Sequence, residues 1–301
     1  MGLFDFLGPK KKLSSTTKAE SQANNKTKDS LQKIEIRPGL QIPRGLKDLW
    51  PEIEKTRLVF NSIEATPQDD LALEQSKLAH YPCMPIGFDY PKDADGKYMF
   101  PLAQINFGEM PALEGYPKSG YLQLYLSAFD DVYGMDFDDM QLQKNFRVLF
   151  FEEQEVEKYK SDFSFLDDIM TSEMPPVHKP YALTFTQKEE YLGFGDVRYE
   201  EMNQSAVLPF LEENEELQDE LMGGTYDVFT GTGHKIGGYA FFTQTDPRID
   251  EPKFEEYILL FQLDSIGDIM WGDAGVGHLF IHPDDLAKKD FSKVVYHWDC
   301  S

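Results

Sequence analysis

Lys235-Ile236-Gly237-Gly238-Tyr239-Ala240 is the stretch whose reading decides the fold, because it matches Lys77-Leu78-Ala79-His80-Tyr81-Pro82 lying 158 positions earlier. The same spacing carries Leu102-Ala103-Gln104-Ile105-Asn106 onto Leu260-Phe261-Gln262-Leu263-Asp264, and one position less carries Gly120-Tyr121-Leu122 onto Gly277-His278-Leu279. Matches recurring at one spacing point to an internal duplication. The repeated unit reads as turn, strand with a glutamine, loop, glycine, strand. The body is therefore expected to be two halves, about 46–200 and 201–301, packed about a pseudo-twofold axis. One pair differs: Ala79-His80 stands where the second copy has Gly237-Gly238. Glycine permits a left-handed backbone, so the first turn is expected to be built differently.

Outward from these repeats, strands show as period-two alternation. Tyr181, Leu183 and Phe185 alternate with Ala182, Thr184 and Thr186, and Leu122, Leu124 and Leu126 alternate with Gln123, Tyr125 and Ser127. Further strands are predicted over 98–107, 147–151, 239–243, 257–264, 278–282 and 294–298. Helices are predicted over 69–79 and 209–222. The second has Pro209 in its first turn, Phe210, Leu217 and Leu221 on one face, and Gly223-Gly224 to stop it. Many strands, few helices and no βαβ alternation predict an α+β fold of largely antiparallel sheets.

Charge divides the chain. The 301 residues hold 53 acids and 29 bases, a formal charge of −24. Residues 1–45 carry nine of the bases and four of the acids, so a +5 segment precedes a −29 body. Composition predicts that 1–45 is a basic, disordered tail and that one duplicated domain fills 46–301. A −29 body repels phosphate backbones, which argues against nucleic acid as its partner. Leu3, Phe4, Phe6 and Leu7, followed by Lys10, Lys11 and Lys12, form an apolar tip with a basic collar, suited to weak contact with an anionic membrane or a partner's groove. No apolar run has the length of a membrane span. Two cysteines, Cys83 and Cys300, make no disulfide framework and point to reduced thiols and a cytoplasmic setting.

Lys235 to Gly238, Leu260 to Asp264, Trp271-Gly272-Asp273, Gly277 to Phe280 and the closing Val294 to Cys300 together resemble the YwqG-like family of bacterial proteins. Ser76-Lys77, Pro101 to Gln104 and Gly120 to Leu122 resemble its first half. The resemblance covers 46 to the C-terminus. It implies one duplicated α+β domain of bacterial cytosolic type and no particular activity.

The chemistry-bearing residues do not assemble into a catalytic signature. Gly231, Gly233, Gly237 and Gly238 lack the spacing of a dinucleotide fingerprint and read as turn glycines, so no cofactor is expected. His278 and His282 would stand roughly 13 Å apart on a strand, too far for one ion, so no metal site is expected. Asp264, Asp268 and Asp273 miss the alternate spacing of a calcium loop. Cys83 has no basic neighbour in sequence to activate it. The candidates for ligand or partner contact are Lys235, Gln262, Asp264, Trp271, Asp273, His278, Lys77 and Gln104. Trp271 beside Asp273 is the densest polar–aromatic cluster, and an exposed Trp next to acids could hold a cationic or sugar-like group. A glutamine within an apolar strand must be hydrogen-bonded, either to a loop backbone or to a ligand shared by the two halves. Two functions follow. The first is a non-catalytic protein-interaction module, of immunity type in its most specific form, whose acidic surface meets a basic protein. The second is a small-ligand binder or enzyme using a cleft between the halves. The sequence leaves catalysis itself undecided.

Overall fold

The computed structural model describes residues 28–153, 158–199 and 205–301, and its chain divides into two compact units. The first unit joins the N-terminal segment to residues 205–226. Residues 28–45, placed in the tail by composition, contain the antiparallel hairpin of β1 (Lys33–Arg37) and β2 (Leu40–Pro43). Leu40 and Ile42 supply its buried side chains. The single helix predicted over 209–222 is two, Val207–Glu212 and Glu215–Met222. The break falls where the Asn214 side chain donates to the Phe210 carbonyl, taking an acceptor that a continuous helix needs. The apolar tip at Leu3, Phe4, Phe6 and Leu7 and the lysines at 10–12 lie outside the described residues.

The second unit is a ten-stranded, nearly closed, barrel-like antiparallel sheet with few helices. Its strands are β3 (Leu58–Pro67), β4 (Lys77–Leu78), β5 (Phe100–Asn106), β6 (Tyr121–Leu126), β7 (Phe146–Phe151), β8 (Tyr181–Glu190), β9 (Lys235–Ile236), β10 (Ile258–Asp264), β11 (Val276–Ile281) and β12 (Val295–Asp299). They lie in the order β12-β11-β10-β9-β3-β8-β4-β5-β6-β7. The centre is the long β3–β8 pair, in register from Leu58 opposite Glu190 to Pro67 opposite Tyr181. The edge strands approach each other without a backbone ladder: the Phe146 and Tyr296 rings stand 4.9 Å apart, and Gln143 donates to the Phe291 carbonyl. Leu102, Ile105, Leu122, Leu124, Ile63, Leu183, Ile236, Leu260, Leu263 and Leu279 belong to one buried core.

Two predicted elements are absent, for the same physical reason. Residues 69–76 form no helix because side chains claim their carbonyls. Lys77 Nζ donates to the carbonyls of Ala72 and Leu73, Gln104 Nε2 to those of Leu73 and Gln75, and Asn106 Nδ2 to that of Glu74. Residues 239–243 form no strand because buried acceptors claim their N–H groups: Glu190 from Tyr239, Asp196 from Ala240, and Gln262 from Phe241. The sequence reading also passed over β3, whose Leu58-Val59-Phe60 run and polar second half obscure its alternation.

The spacing seen in the sequence returns in the hydrogen bonds. Lys77 opposes Gln104 across β4–β5, and Lys235 opposes Gln262 across β9–β10. A register irregularity lies between Pro101 and Ala103, and another between Leu259 and Phe261. Ala79 takes φ +49° and Gly237 φ +74°, so the first turn adopts the left-handed conformation without glycine. The expected difference between the turns is confined to the following residue, where Gly238 has φ +79° and His80 is not left-handed.

Candidate functional site

The eight candidate residues do not converge on one site, because β3 and β8 separate β4 from β9 in the sheet. Each glutamine is consumed by backbone. Gln104 Oε1 accepts from the Cys83 N–H, and its Nε2 donates to Leu73 and Gln75. Gln262 Oε1 accepts from the Phe241 N–H, and its Nε2 donates to Gly231 and Gly233. Each therefore ties two loops to a central strand.

Lys77 and Lys235 are both buried but are satisfied differently. Lys77 donates to two carbonyls, and burial lowers its ammonium to about 8. Lys235 stands 2.8 Å from Glu190. Burial lowers the Lys235 ammonium, and Glu190 opposes that shift. Glu190 also accepts from the Tyr239 N–H, and Gly238 leaves room for it, since a Cβ there would lie 2.0 Å from Glu190 Oε1.

Beside this pair is a second buried ionic group, which sequence reading missed. Arg248 Nη2 lies 2.6 Å from Asp246 and 2.9 Å from Asp196, and Arg198 Nε lies 2.8 Å from Asp196. Burial alone would raise the Asp196 carboxyl, but the guanidiniums of Arg198 and Arg248 hold it well below the usual carboxylate range. Arg248 also donates to the Tyr257 carbonyl, Arg198 to the Gly238 carbonyl, and the Val197 N–H to Asp246. The available signal was Gly193-Phe194-Gly195-Asp196, a glycine-rich turn, and the Asp246-Pro247 helix start.

Trp271 is buried, correcting the expected exposed aromatic. Its ring packs edge-on to Tyr133 and fills the space over Gly277, where a Cβ would lie 2.3 Å from Trp271 Cζ2. Asp273 is exposed, and Asp264 accepts from the N–H groups of Gly233 and Ser265. His278 Nε2 lies 2.7 Å from the Phe241 carbonyl, while Gln123 Nε2 donates to the Cys83 carbonyl. Burial holds the His278 imidazolium well below its ordinary value. His282 instead starts the helix Pro283–Ala287, its Nδ1 accepting from the Asp284 N–H. Burial pushes the Cys83 thiol up to about 11, away from thiolate chemistry. Among the described residues no group of three His, Cys, Asp or Glu side chains is placed to hold a metal ion. No described helix is long and apolar enough to cross a membrane.

A ten-stranded antiparallel sheet with paired lysine–glutamine bridges and a buried ionic group defines an α+β domain in which a few buried charged residues help build the fold. Residues 76–300 match the family described as domain of unknown function (DUF1963). The match spans well over half of the chain, which therefore belongs to that family. No curated protein gives a significant match.

Proposed function

We propose that the protein is a non-catalytic interaction module that recognises a basic partner. The placement of charge supports this reading most directly. Among the described residues five carboxylates are buried, those of Glu190, Asp196, Asp246, Asp264 and Asp299, alongside the cations of Lys77, Lys235 and Arg248. Most of the −29 excess of the body therefore lies at the surface. Within it, a cleft of about 430 Å³ brings the apolar side chains of Phe137, Met140 and Trp298 together with Asp136, Asp250 and Glu251. Phe137 is 73% exposed. Apolar walls with a carboxylate rim suit the stem and head of a lysine or arginine side chain. The acidic run at Glu152 and Glu153 continues to Glu155 and Glu157, which lie outside the described residues.

The YwqG-like likeness and the duplicated origin of the sheet belong to the same reading. The repeated glutamine bridges at one spacing support duplication, with the β3–β8 pair at its pseudo-twofold. A toxin-neutralising immunity protein is its most specific form. The experiment is titration with a lysine-rich peptide at about 50 mM and about 500 mM salt, against an acidic peptide of equal length. Binding is expected to weaken at least about tenfold at high salt, and to weaken comparably in Asp250→Lys/Glu251→Lys. Binding that ignores both salt and the substitutions would overturn the reading.

A further inference from the structure

A second cavity, of about 380 Å³, opens beside β3 on the side where β9 pairs with Asn61 and Ser62 alone. His234 is one of its walls and is 5% exposed. The Asp264 backbone N–H donates to His234 Nδ1, so Nδ1 carries no proton and the neutral ring holds its hydrogen on Nε2. That Nε2–H has no hydrogen-bond partner among the described residues. The ring is nearly buried, and its Nε2 edge is left free at the wall of an accessible space. The matching position of the first half is Ser76, whose hydroxyl ends at the Asn106 N–H. The longer imidazole makes the equivalent bond through Nδ1 and has a second nitrogen to spare.

The rest of the lining defines what such a donor would receive. Lys188 is exposed at the cavity and makes no ion pair among the described residues, and the hydroxyls of Ser62 and Thr186 stand in register on adjacent strands. Ile266, 51% exposed, and Ile269 give an aliphatic wall. Glu64 shares the rim and opposes any anion, so one carboxylate has to be met by Lys188 and His234 together and a second negative charge would have no cation left to offset it. We propose that this cavity binds a small aliphatic monocarboxylate, with the carboxylate between His234 Nε2–H and Lys188 Nζ and the alkyl chain against Ile266 and Ile269. This site is independent of the acidic cleft.

The test follows the His234 Nε2–H resonance of the full chain by long-range ¹H–¹⁵N NMR during titration with 3-methylbutanoate. Succinate and 3-methylbutanamide serve as the dianionic and uncharged comparisons. A saturable shift is expected with the monocarboxylate, with the amide and succinate weaker by at least about tenfold. Lys188→Gln, a substitution of an exposed side chain, is expected to weaken binding about tenfold with an unchanged melting temperature. His234→Ser, which copies the first half, is expected to abolish saturable binding followed by calorimetry. Equal binding of the amide, unchanged binding in Lys188→Gln, or no saturable response to 3-methylbutanoate would each overturn the proposal. Asp250→Lys/Glu251→Lys leaves this titration unchanged, which separates it from the basic-partner reading.

Discussion

The segments around Lys77 and Lys235 make the same backbone pairings but satisfy their buried charge in different ways. In the first, an ammonium meets two carbonyls. In the second, it meets Glu190, next to Asp196, Arg198, Asp246 and Arg248. The glutamine bridges at 104 and 262 are alike because each ties two flanking loops to its own strand, 73–75 and 83 to β5 and 231–233 and 241 to β10. The charges differ because Asp246 and Arg248 stand, at the 158-residue spacing, where the first segment has Phe88 and Tyr90. Hydrogen-bond geometry is thus the shared framework, and the ionic group is specific to one region.

That comparison is open to direct attack. Breaking a buried pair leaves a charge uncompensated, typically at a cost of about 3–5 kcal/mol. Glu190→Gln should therefore destabilise by about that much in denaturant unfolding, with Lys77→Met costing clearly less. Recovery of stability in Glu190→Gln/Lys235→Met would show that the loss comes from the stranded ammonium. Equal costs for Glu190→Gln and Lys77→Met would erase the distinction.

Protonation gives the next largest effect, again weighted to the second region. Burial holds His234 and His297 down to about 4, against an ordinary value near 6.5. The folded pKa is depressed, so the unfolded chain binds protons that the native chain refuses. Stability is full above about pH 6.5 and falls as pH drops towards 4, by up to roughly 3 kcal/mol for each histidine. His278 adds to the slope in the same direction. His278→Gln, which installs the residue that Gln123 provides across from Cys83, should flatten the unfolding-midpoint profile between pH 6.5 and 4. An unaltered slope would show that His278 does not titrate on unfolding.

The glutamine bridges should respond alike. Truncation removes four hydrogen bonds at Gln104 and three at Gln262, so Gln104→Ala and Gln262→Ala should cost about 2–4 kcal/mol each. The first should cost slightly more, because Gln123 also donates to Gln104. A cost below about 1 kcal/mol at one position would break the equivalence. The smallest effect is at the turns. Ala79→Gly should relieve left-handed strain and stabilise by up to about 1 kcal/mol. Gly237→Ala should destabilise, since its Cβ would lie 2.8 Å from Leu113 Cδ2. Thermal melts of both variants decide this, and shifts of the same sign would refute it.

Much of the sheet was legible beforehand. Strands such as β8 and β10 announce themselves by alternation or by an apolar run, and the recurrence of Lys77 and Gln104 at 235 and 262 marks the repeated bridge. The third repeat was misjudged in detail. Sequence aligns Tyr121 with His278, whereas the ladder pairs Gln123 with Gln104 and His278 with Gln262, so Gln123 rather than Tyr121 stands opposite the bridging glutamine as His278 does. The connection is longer in the first copy, Gln104 to Gln123 against Gln262 to His278, and the shared Gly-x-Leu pattern hides that difference. The site was less legible. Trp271 next to Asp273 reads as an exposed polar–aromatic cluster, yet Gly277 opens the space that buries the ring.

The sequence by itself determined the antiparallel sheet, the recurring lysine–glutamine pairs and the opposite charge of tail and body, because each is written in local periodicity or composition. Only the tertiary structure decided which buried groups meet. Glu190 and Lys235 are 45 positions apart, and Asp196 and Arg248 are further apart still. Their pairing depends on how loops cross the sheet. The same crossing removes the helix expected over 69–79 and the strand expected over 239–243, since distant side chains take the hydrogen bonds that local structure would have used.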